Sequence, residues 1–197
     1  PILDHKSSLQ RTRKFARMML LAGLMAAAAP PTLHSFDWIG NTSMSPAAMH
    51  HDFGLRFGSH FSSMIQQRFA AKRGLAQMLK VAKTTEGAAL YEAFLELHRR
   101  GYPLLIAELE GIAEGSGVGF QEIFLQNINE EFSLCSAKLP GARPYVAKVD
   151  ACSDLMVCRP GLCAVGHNED NSIEDLGTVV LTRARFGSSQ WYAAVYA

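Results

Sequence analysis

Apolar residues recur every three or four positions through the middle of the chain, which is the spacing of one face of a helix. Gly and Pro residues divide this region into segments of helical length. The pattern predicts four helices: residues 57–81, a helix that carries Leu90, Phe94 and Leu97 and ends at Gly101, residues 103–115, and residues 119–128. We expect the apolar faces of these helices to form a core.

Short apolar runs typical of strands follow a turn-rich link over residues 137–148. Residues 155–157 and 162–165 flank Pro160 and Gly161, and Pro followed by Gly at these positions favours a type II turn. Two later runs, residues 178–182 and 190–197, are joined through Gly187-Ser188-Ser189. The chain is therefore predicted to have an α+β fold that includes a β-hairpin around Pro160-Gly161.

Symmetric pairing about that turn sets which hairpin residues face each other. Cys158 then faces Cys163, and Cys152 faces Glu169, with Asp170 one residue beyond. A slip of one residue would move each side chain to the other face. In the symmetric register, a thiol at the start of one strand lies beside a pair of carboxylates.

A thiol at residue 152 would gain its own base if the chain were cut between Ala151 and Cys152. The α-amine released by such a cut has a pKa of about 7.7–8.0, so it can accept the thiol proton near neutral pH. Asp170 could orient that amine. The alternatives are that Cys152 is a buried structural thiol and that Asp170 is a turn residue.

Four segments together resemble the autoproteolytic enzymes related to acyl-CoA:6-aminopenicillanic acid acyltransferase, which form the peptidase C45 family of N-terminal nucleophile hydrolases. The resemblance covers about residues 50–197. Its segments are Asp52-Phe53-Gly54-Leu55-Arg56-Phe57-Gly58, Glu108-Leu109-Glu110-Gly111-Ile112-Ala113-Glu114-Gly115-Ser116-Gly117-Val118, Asn127-Ile128-Asn129-Glu130-Glu131, and Cys152-Ser153 followed by Gly166-His167-Asn168-Glu169-Asp170. The chain departs from the family at Ala151, where Gly is usual.

The resemblance implies Cys152 as the nucleophile and Asp170 as its carboxylate partner, with Glu169 as second choice. It also implies a four-layer αββα sandwich and, as substrates, linear amides or acyl-CoA. An acyl group would pass through a thioester on Cys152 to water or to an amine, and no cofactor is expected. Because such proteins continue well beyond this point, we expect the chain to hold part of the sandwich, without the oxyanion donors.

Three parts follow from this interpretation. Residues 1–33 are a targeting segment, residues 34–151 a helical propeptide or small subunit, and residues 152–197 the start of the β-rich catalytic part. The expected partners are a small-molecule amide or acyl donor and, after processing, the two chains of a heterodimer. With 48% hydrophobic residues and a net charge of +1, nothing indicates nucleic-acid binding.

The N-terminal segment and one short motif favour the secretory pathway. Basic residues at positions 11–17 precede an apolar stretch, residues 18–29, that is too short to span a bilayer. Asn41-Thr42-Ser43 is a possible glycosylation site, which matters only in that pathway. An extracellular or secretory location is therefore expected, and an organelle transit peptide is the alternative.

The remaining candidate chemistry concerns cysteines and metals. Cys158 and Cys163 could form a disulfide in an oxidising compartment, and two reduced thiols are the alternative. The sequence has no zinc-binding pattern, so no metal is expected. The glycines around Gly117 follow a predicted helix rather than a strand, which argues against a dinucleotide site.

A second functional hypothesis is a non-catalytic protein of the same fold. In that case the Cys158–Cys163 pair would be a structural staple and Cys152 would be inert. A natural chain that begins at Cys152 would separate the two hypotheses in favour of the enzyme.

Overall fold

The computed structural model describes residues 33–140, 152–168 and 172–197. These residues form an α+β fold, which confirms the predicted class. None of the helices in the described part of the chain is long and apolar enough to cross a membrane. In chain order the elements are β1 (His34–Ile39), α1 (Pro46–His60), α2 (Ser62–Ala71), α3 (Arg73–Ala82), α4 (Thr85–Gly101), α5 (Pro103–Ser116), α6 (Phe120–Asn127), α7 (Asn129–Ser136), β2 (Ser153–Arg159), β3 (Leu162–Asn168), the 3-10 turn Ile173–Asp175, β4 (Val179–Phe186) and β5 (Ser189–Tyr196).

Local signals explain the helix ends that the sequence predicts. The Thr84 hydroxyl accepts a hydrogen bond from the Gly87 amide and caps α4, which ends at Gly101 as predicted. Pro103 occupies the first turn of α5, and Gly117 ends that helix with a φ of 73°, a left-handed conformation that suits Gly. Both of these helices are confirmed.

The first predicted helix is divided in the structure. Residues 57–81 contribute to α1, α2 and α3, which are separated at Phe61 and Lys72. Lys72 has extended backbone angles, so the helix cannot continue through it. The apolar spacing does not reveal these breaks, because Phe57 and Ile65, on either side of the first break, are buried in one core.

A three-stranded sheet has the order β1-β4-β5. β1 pairs with β4 in parallel, from His34 opposite Val180 to Ile39 opposite Arg185. β4 pairs with β5 antiparallel, so the predicted strands after residue 177 are confirmed. The hydrophobic pattern does not predict β1. This strand lies at the start of residues 34–151, the part of the chain that is expected to be helical.

Two apolar cores hold these elements. The first lies between the sheet and α1, with α2 and α6 beside it, and includes Phe36, Phe57 and Val180. The second lies among α3 to α7 and includes Leu75, Tyr91, Leu95, Phe124 and Phe132. Most of the helical apolar stripe residues are thus core residues, as expected, but the prediction for Leu97 is wrong because its side chain is 53% exposed.

The helices α1 and α5 pack with their backbones in direct contact. A Cβ atom on Gly54 would overlap the Glu108 carbonyl oxygen, and one on Gly111 would overlap the His51 carbonyl oxygen. Gly58 and Gly115 make the same kind of approach, to Ile112 and to Leu55. The contacts advance in the same direction along both helices, so α1 and α5 run parallel. Two of the segments that carry the family resemblance, residues 52–58 and 108–118, therefore form one tight helix pair.

Candidate active site

The hairpin of β2 and β3 has the predicted register. Cys158 lies opposite Cys163, Val157 opposite Ala164 and Ser153 opposite Asn168. Gly161 has a φ of 80°, the value required at the third position of a type II turn. The turn chemistry of Pro160-Gly161 therefore positions both strands as the sequence indicates.

Cys152 directly precedes β2, at the open end of this hairpin. Its side chain is exposed and its thiol is free. Ala151, Glu169 and Asp170 lie outside the described residues, so their roles stay predictions.

The other two cysteines of the hairpin are bonded to each other. The structure joins Cys158 and Cys163 in a disulfide across β2 and β3, with 4.2 Å between their Cα atoms. Cys135, in α7, is also free but is only partly exposed. Among the described residues, Cys152 is therefore the one free thiol that is exposed to solvent.

The hairpin exposes apolar side chains on both faces. Leu155, Met156, Val157 and Leu162 are each at least half exposed. The main contacts of β2 and β3 are with each other rather than with the three-stranded sheet. The polypeptide that carries Cys152 is thus a small unit stabilised by its own ladder and its disulfide.

A largely buried ion cluster joins the segment between the hairpin and β4 to Arg68 and Lys72, in and just after α2. Asp175 accepts a hydrogen bond of 2.6 Å from Arg68 Nε and one of 2.5 Å from Lys72 Nζ, and Ser172 donates to it at 2.7 Å. The Asp175 side chain is 2% exposed and that of Arg68 is 8% exposed. The Arg68 guanidinium also stacks 4.9 Å from the centre of the Tyr196 ring. This cluster fixes the segment after the hairpin onto α2.

The charge state of Asp175 follows from these partners. Burial by itself would raise the pKa of the Asp175 carboxyl. Hydrogen bonds from Lys72, Ser172 and Arg68, together with the Arg68 charge, outweigh burial and lower that pKa below its ordinary value. Asp175 is therefore an anion at neutral pH that compensates the charge of the buried Arg68 and of the largely buried Lys72.

A second polar contact joins the tight helix pair. His50 Nδ1, on α1, lies 3.0 Å from Glu108 Oε2, on α5. Burial raises the pKa of the Glu108 carboxyl, although the hydrogen bond and charge of His50 oppose that rise. Glu108 also lines a cavity of about 430 Å³ whose wall is partly formed by Ile65 and Val195.

Sequence reasoning does not find these polar contacts. Arg68 and Asp175 are 107 residues apart, and His50 and Glu108 are 58 residues apart, so no local motif joins either pair. Helical spacing places Arg68 and Lys72 on one face of a helix, but that spacing alone does not distinguish a buried pair from a solvated one.

No group of three or more His, Cys, Asp or Glu side chains that could hold a metal ion occurs within residues 33–140, 152–168 and 172–197. The polar groups described above are instead occupied by ion pairs and hydrogen bonds within the protein. What the hairpin offers chemically is an accessible sulfur nucleophile next to a disulfide-bonded strand pair.

No protein-family profile matches the chain. The chain is similar to the beta-alanyl-dopamine/carcinine hydrolase of Drosophila melanogaster, with 27% identity over 128 residues. The match takes in 64% of this chain and 32% of that hydrolase, so the chain covers about a third of the length of its curated relative. The similarity supports a relation to hydrolases.

Proposed function

We propose that the protein is a self-processing amidohydrolase of the N-terminal nucleophile type, with Cys152 as the nucleophile. The observation that carries the proposal is the free, exposed thiol of Cys152, directly before β2 at the open end of a hairpin whose other two cysteines are bonded to each other. The relation to a hydrolase named for beta-alanyl-dopamine and carcinine agrees with a small-molecule amide as the substrate.

The first step is a cut within the chain itself. The Cys152 sulfur attacks the Ala151 carbonyl carbon, the thiol proton passes to the peptide nitrogen, the C–N bond breaks to free the α-amine of Cys152, and a thioester remains. Water then hydrolyses the thioester, which leaves a carboxylate on Ala151 and a free thiol on Cys152. The cut is needed because the new α-amine is the base that takes the thiol proton near neutral pH.

The second step is turnover of a substrate amide. The Cys152 thiolate attacks the acyl carbon, the substrate amine leaves with a proton, and an acyl thioester forms on Cys152. Water releases the acid and restores the thiol; release to an amine instead would make the protein an acyltransferase. In this proposal the Asp170 carboxylate orients the α-amine, and Glu169 is the second choice for that role.

Mass spectrometry of the full-length protein tests the proposal. We expect a chain that begins at Cys152, formed without added protease. Cys152→Ala should stay one chain and be inactive, whereas Cys152→Ser should be cut slowly because a hydroxyl is the poorer nucleophile. Asp170→Asn should slow both cutting and turnover.

Cys135→Ala is the matched control, because it removes the other free thiol of the described residues and should leave both reactions unchanged. Full turnover by the Cys152→Ala protein would refute the enzyme proposal. An intact chain with an unreactive Cys152 would favour the second candidate, a non-catalytic protein in which the observed Cys158–Cys163 disulfide is a structural staple.

A further inference from the structure

The loop between β1 and α1 contains the sequence Asn41-Thr42-Ser43. It is the only Asn-x-Ser/Thr sequence in the 197 residues that has a residue other than Pro in the middle. Asn41 is therefore the one acceptor for an N-linked glycan in this sequence. Asn41, Thr42 and Ser43 are all exposed. An enzyme that modifies Asn41 would therefore find the acceptor at the surface.

The three residues hold one another in a compact turn. The Asn41 side-chain oxygen Oδ1 accepts a hydrogen bond of 2.8 Å from the Ser43 hydroxyl and one of 3.0 Å from the Ser43 amide. The Met44 amide donates to the Asn41 carbonyl oxygen at 3.1 Å. Within the described residues, the Asn41 carboxamide nitrogen donates no hydrogen bond, so the nitrogen that would receive a sugar stays available.

The hydroxyl contact has a chemical consequence. A hydrogen bond to Oδ1 draws electron density from the carboxamide, which makes its N–H groups more acidic. Because all these bonds span only two or three residues, the turn can form before the rest of the chain folds.

The surroundings of the loop keep it at the surface after folding. The Gly40 amide donates to the Arg185 carbonyl oxygen at 2.8 Å, and the Ser45 hydroxyl caps α1. A Cβ atom on Gly187 would lie 3.9 Å from Thr42 Cγ2, so the β4–β5 turn lies beside the loop. Asn41 therefore lies at the surface, at the end of the three-stranded sheet where the β1–α1 loop and the β4–β5 turn meet.

Two features outside the loop indicate the compartment in which this chemistry occurs. The Cys158–Cys163 disulfide forms and persists in oxidising environments such as the secretory pathway. Residues 11–29 have the basic and then apolar composition of a secretory signal. Neither feature depends on the Asn41 loop, and both agree with a compartment in which Asn residues are glycosylated.

We propose that Asn41 carries an N-linked glycan. The donor is an oligosaccharide joined to a lipid through pyrophosphate. The Asn41 carboxamide nitrogen bonds to the anomeric carbon, the bond from that carbon to the pyrophosphate oxygen breaks, and the nitrogen loses one proton. The glycan keeps the end of the sheet formed by the β1–α1 loop and the β4–β5 turn in solvent, so that end cannot become a buried interface.

The test is translation of the 197-residue chain with microsomes, after a host signal peptide placed before Pro1 to ensure translocation. Only chains protected from added protease are scored. The wild type should give a slower band, and an amidase that removes N-glycans should collapse that band and leave aspartate at position 41. Asn41→Gln and Ser43→Ala should lose the slower band.

Two matched variants separate the sequence requirement from a general change in the loop. Ser43→Thr keeps the hydroxyl and should retain the shift, and Thr42→Ala changes only the middle residue and should retain it as well. A protected wild-type chain without the slower band would overturn the proposal. A slower band that persists in Asn41→Gln would equally overturn it, because the modification would then lie elsewhere. Neither outcome depends on activity of Cys152.

Discussion

At the scale of single residues, Asp175 joins two regions that are distant in sequence. It lies in the segment between the hairpin and β4, and its partners Arg68 and Lys72 lie in and just after α2. All three side chains are largely removed from solvent. The cluster therefore fixes the position of the segment that follows the hairpin. Arg68 and Lys72 are largely removed from solvent, so they need the Asp175 carboxylate beside them.

Replacement of this anion should destabilise the protein strongly. Asp175→Asn leaves the buried Arg68 without a counter-charge, and removal of one partner of a buried pair typically lowers the free energy of unfolding by about 3–5 kcal/mol. Urea denaturation at neutral pH measures this loss. Asp37→Asn is the control, because the Asp37–Arg183 pair is exposed and should contribute little. Equal losses in the two variants would contradict the structural role of the cluster.

The same substitution has a pH dependence of known sign. The pKa of Asp175 is lowered in the folded protein, so its stabilising contribution is complete above the ordinary carboxyl pKa of about 3.9. The contribution is lost as the pH falls further, through the folded pKa. The difference in unfolding free energy between wild type and Asp175→Asn should therefore shrink below about pH 3.9. A difference that is constant from pH 7 to pH 2 would rule out an ionised Asp175.

At the scale of elements, the packing of α1 on α5 depends on the absence of side chains. Gly54→Ala and Gly111→Ala would each place a methyl group on the backbone of the partner helix, which cannot move aside as a side chain can. We expect each variant to lower the free energy of unfolding by about 1–3 kcal/mol or more. Thermal or urea denaturation measures the effect.

Gly74→Ala is the matched control for the helix pair. Gly74 lies in α3 with open space around its Cβ position, so Ala should raise the free energy of unfolding by about 0.4–1 kcal/mol. Opposite signs at Gly54 and Gly74 would show that close approach, rather than helix propensity, decides the outcome. The same sign at both positions would mean that α1 and α5 do not pack as described.

The hairpin should behave as a separate local unit. The Cys158–Cys163 disulfide closes a short loop, and its removal is expected to weaken the hairpin by about 2 kcal/mol. Because β2 and β3 mainly contact each other, the double variant Cys158→Ser/Cys163→Ser should speed amide hydrogen exchange within residues 153–168. Exchange in α1 and β4 should stay the same. Faster exchange throughout the molecule would show that the hairpin is part of the main cooperative unit.

At the scale of the whole molecule, the regions before and after the proposed cut form one folded body. β1 pairs with β4 along six residues, and the Phe53 and Trp191 rings lie 5.7 Å apart. Phe57 and Val180, one from each region, are both almost fully buried in the same core. These contacts do not depend on a covalent link through residues 141–151.

A cut in that link should therefore leave the two pieces together. A protease site introduced within residues 141–151 and then cleaved should give two chains that elute as one complex in size-exclusion chromatography. Val180→Asp, which places a charge in the shared core, should release the pieces after the same cut. Separation of the wild-type pieces in native buffer would contradict a heterodimer of processed chains.

Local chemistry determined much of this structure. The Thr84 cap, the Pro103 start and the Gly117 end define α4 and α5 from neighbouring residues. Pro160 and Gly161 likewise fix the hairpin register, which brings Cys158 to Cys163. These features were predictable because turns, caps and helix periodicity act over a few residues. The four-layer sandwich and the role of Asp170 stay predictions.

Tertiary structure alone decided the features that join distant parts of the chain. β1 becomes a strand because Phe36 and Trp38 are buried against α1 while its backbone pairs with β4, about 145 residues later. The partners of Asp175 and Glu108 also depend on tertiary packing. Asp175 meets Arg68 because its segment packs on α2, and Glu108 meets His50 because α5 packs on α1. Whether a glycine is a helix defect, as at Gly74, or a backbone contact, as at Gly54, also depends on what lies opposite it. A sequence pattern records the period of its own element, whereas these contacts depend on how separate elements meet in space.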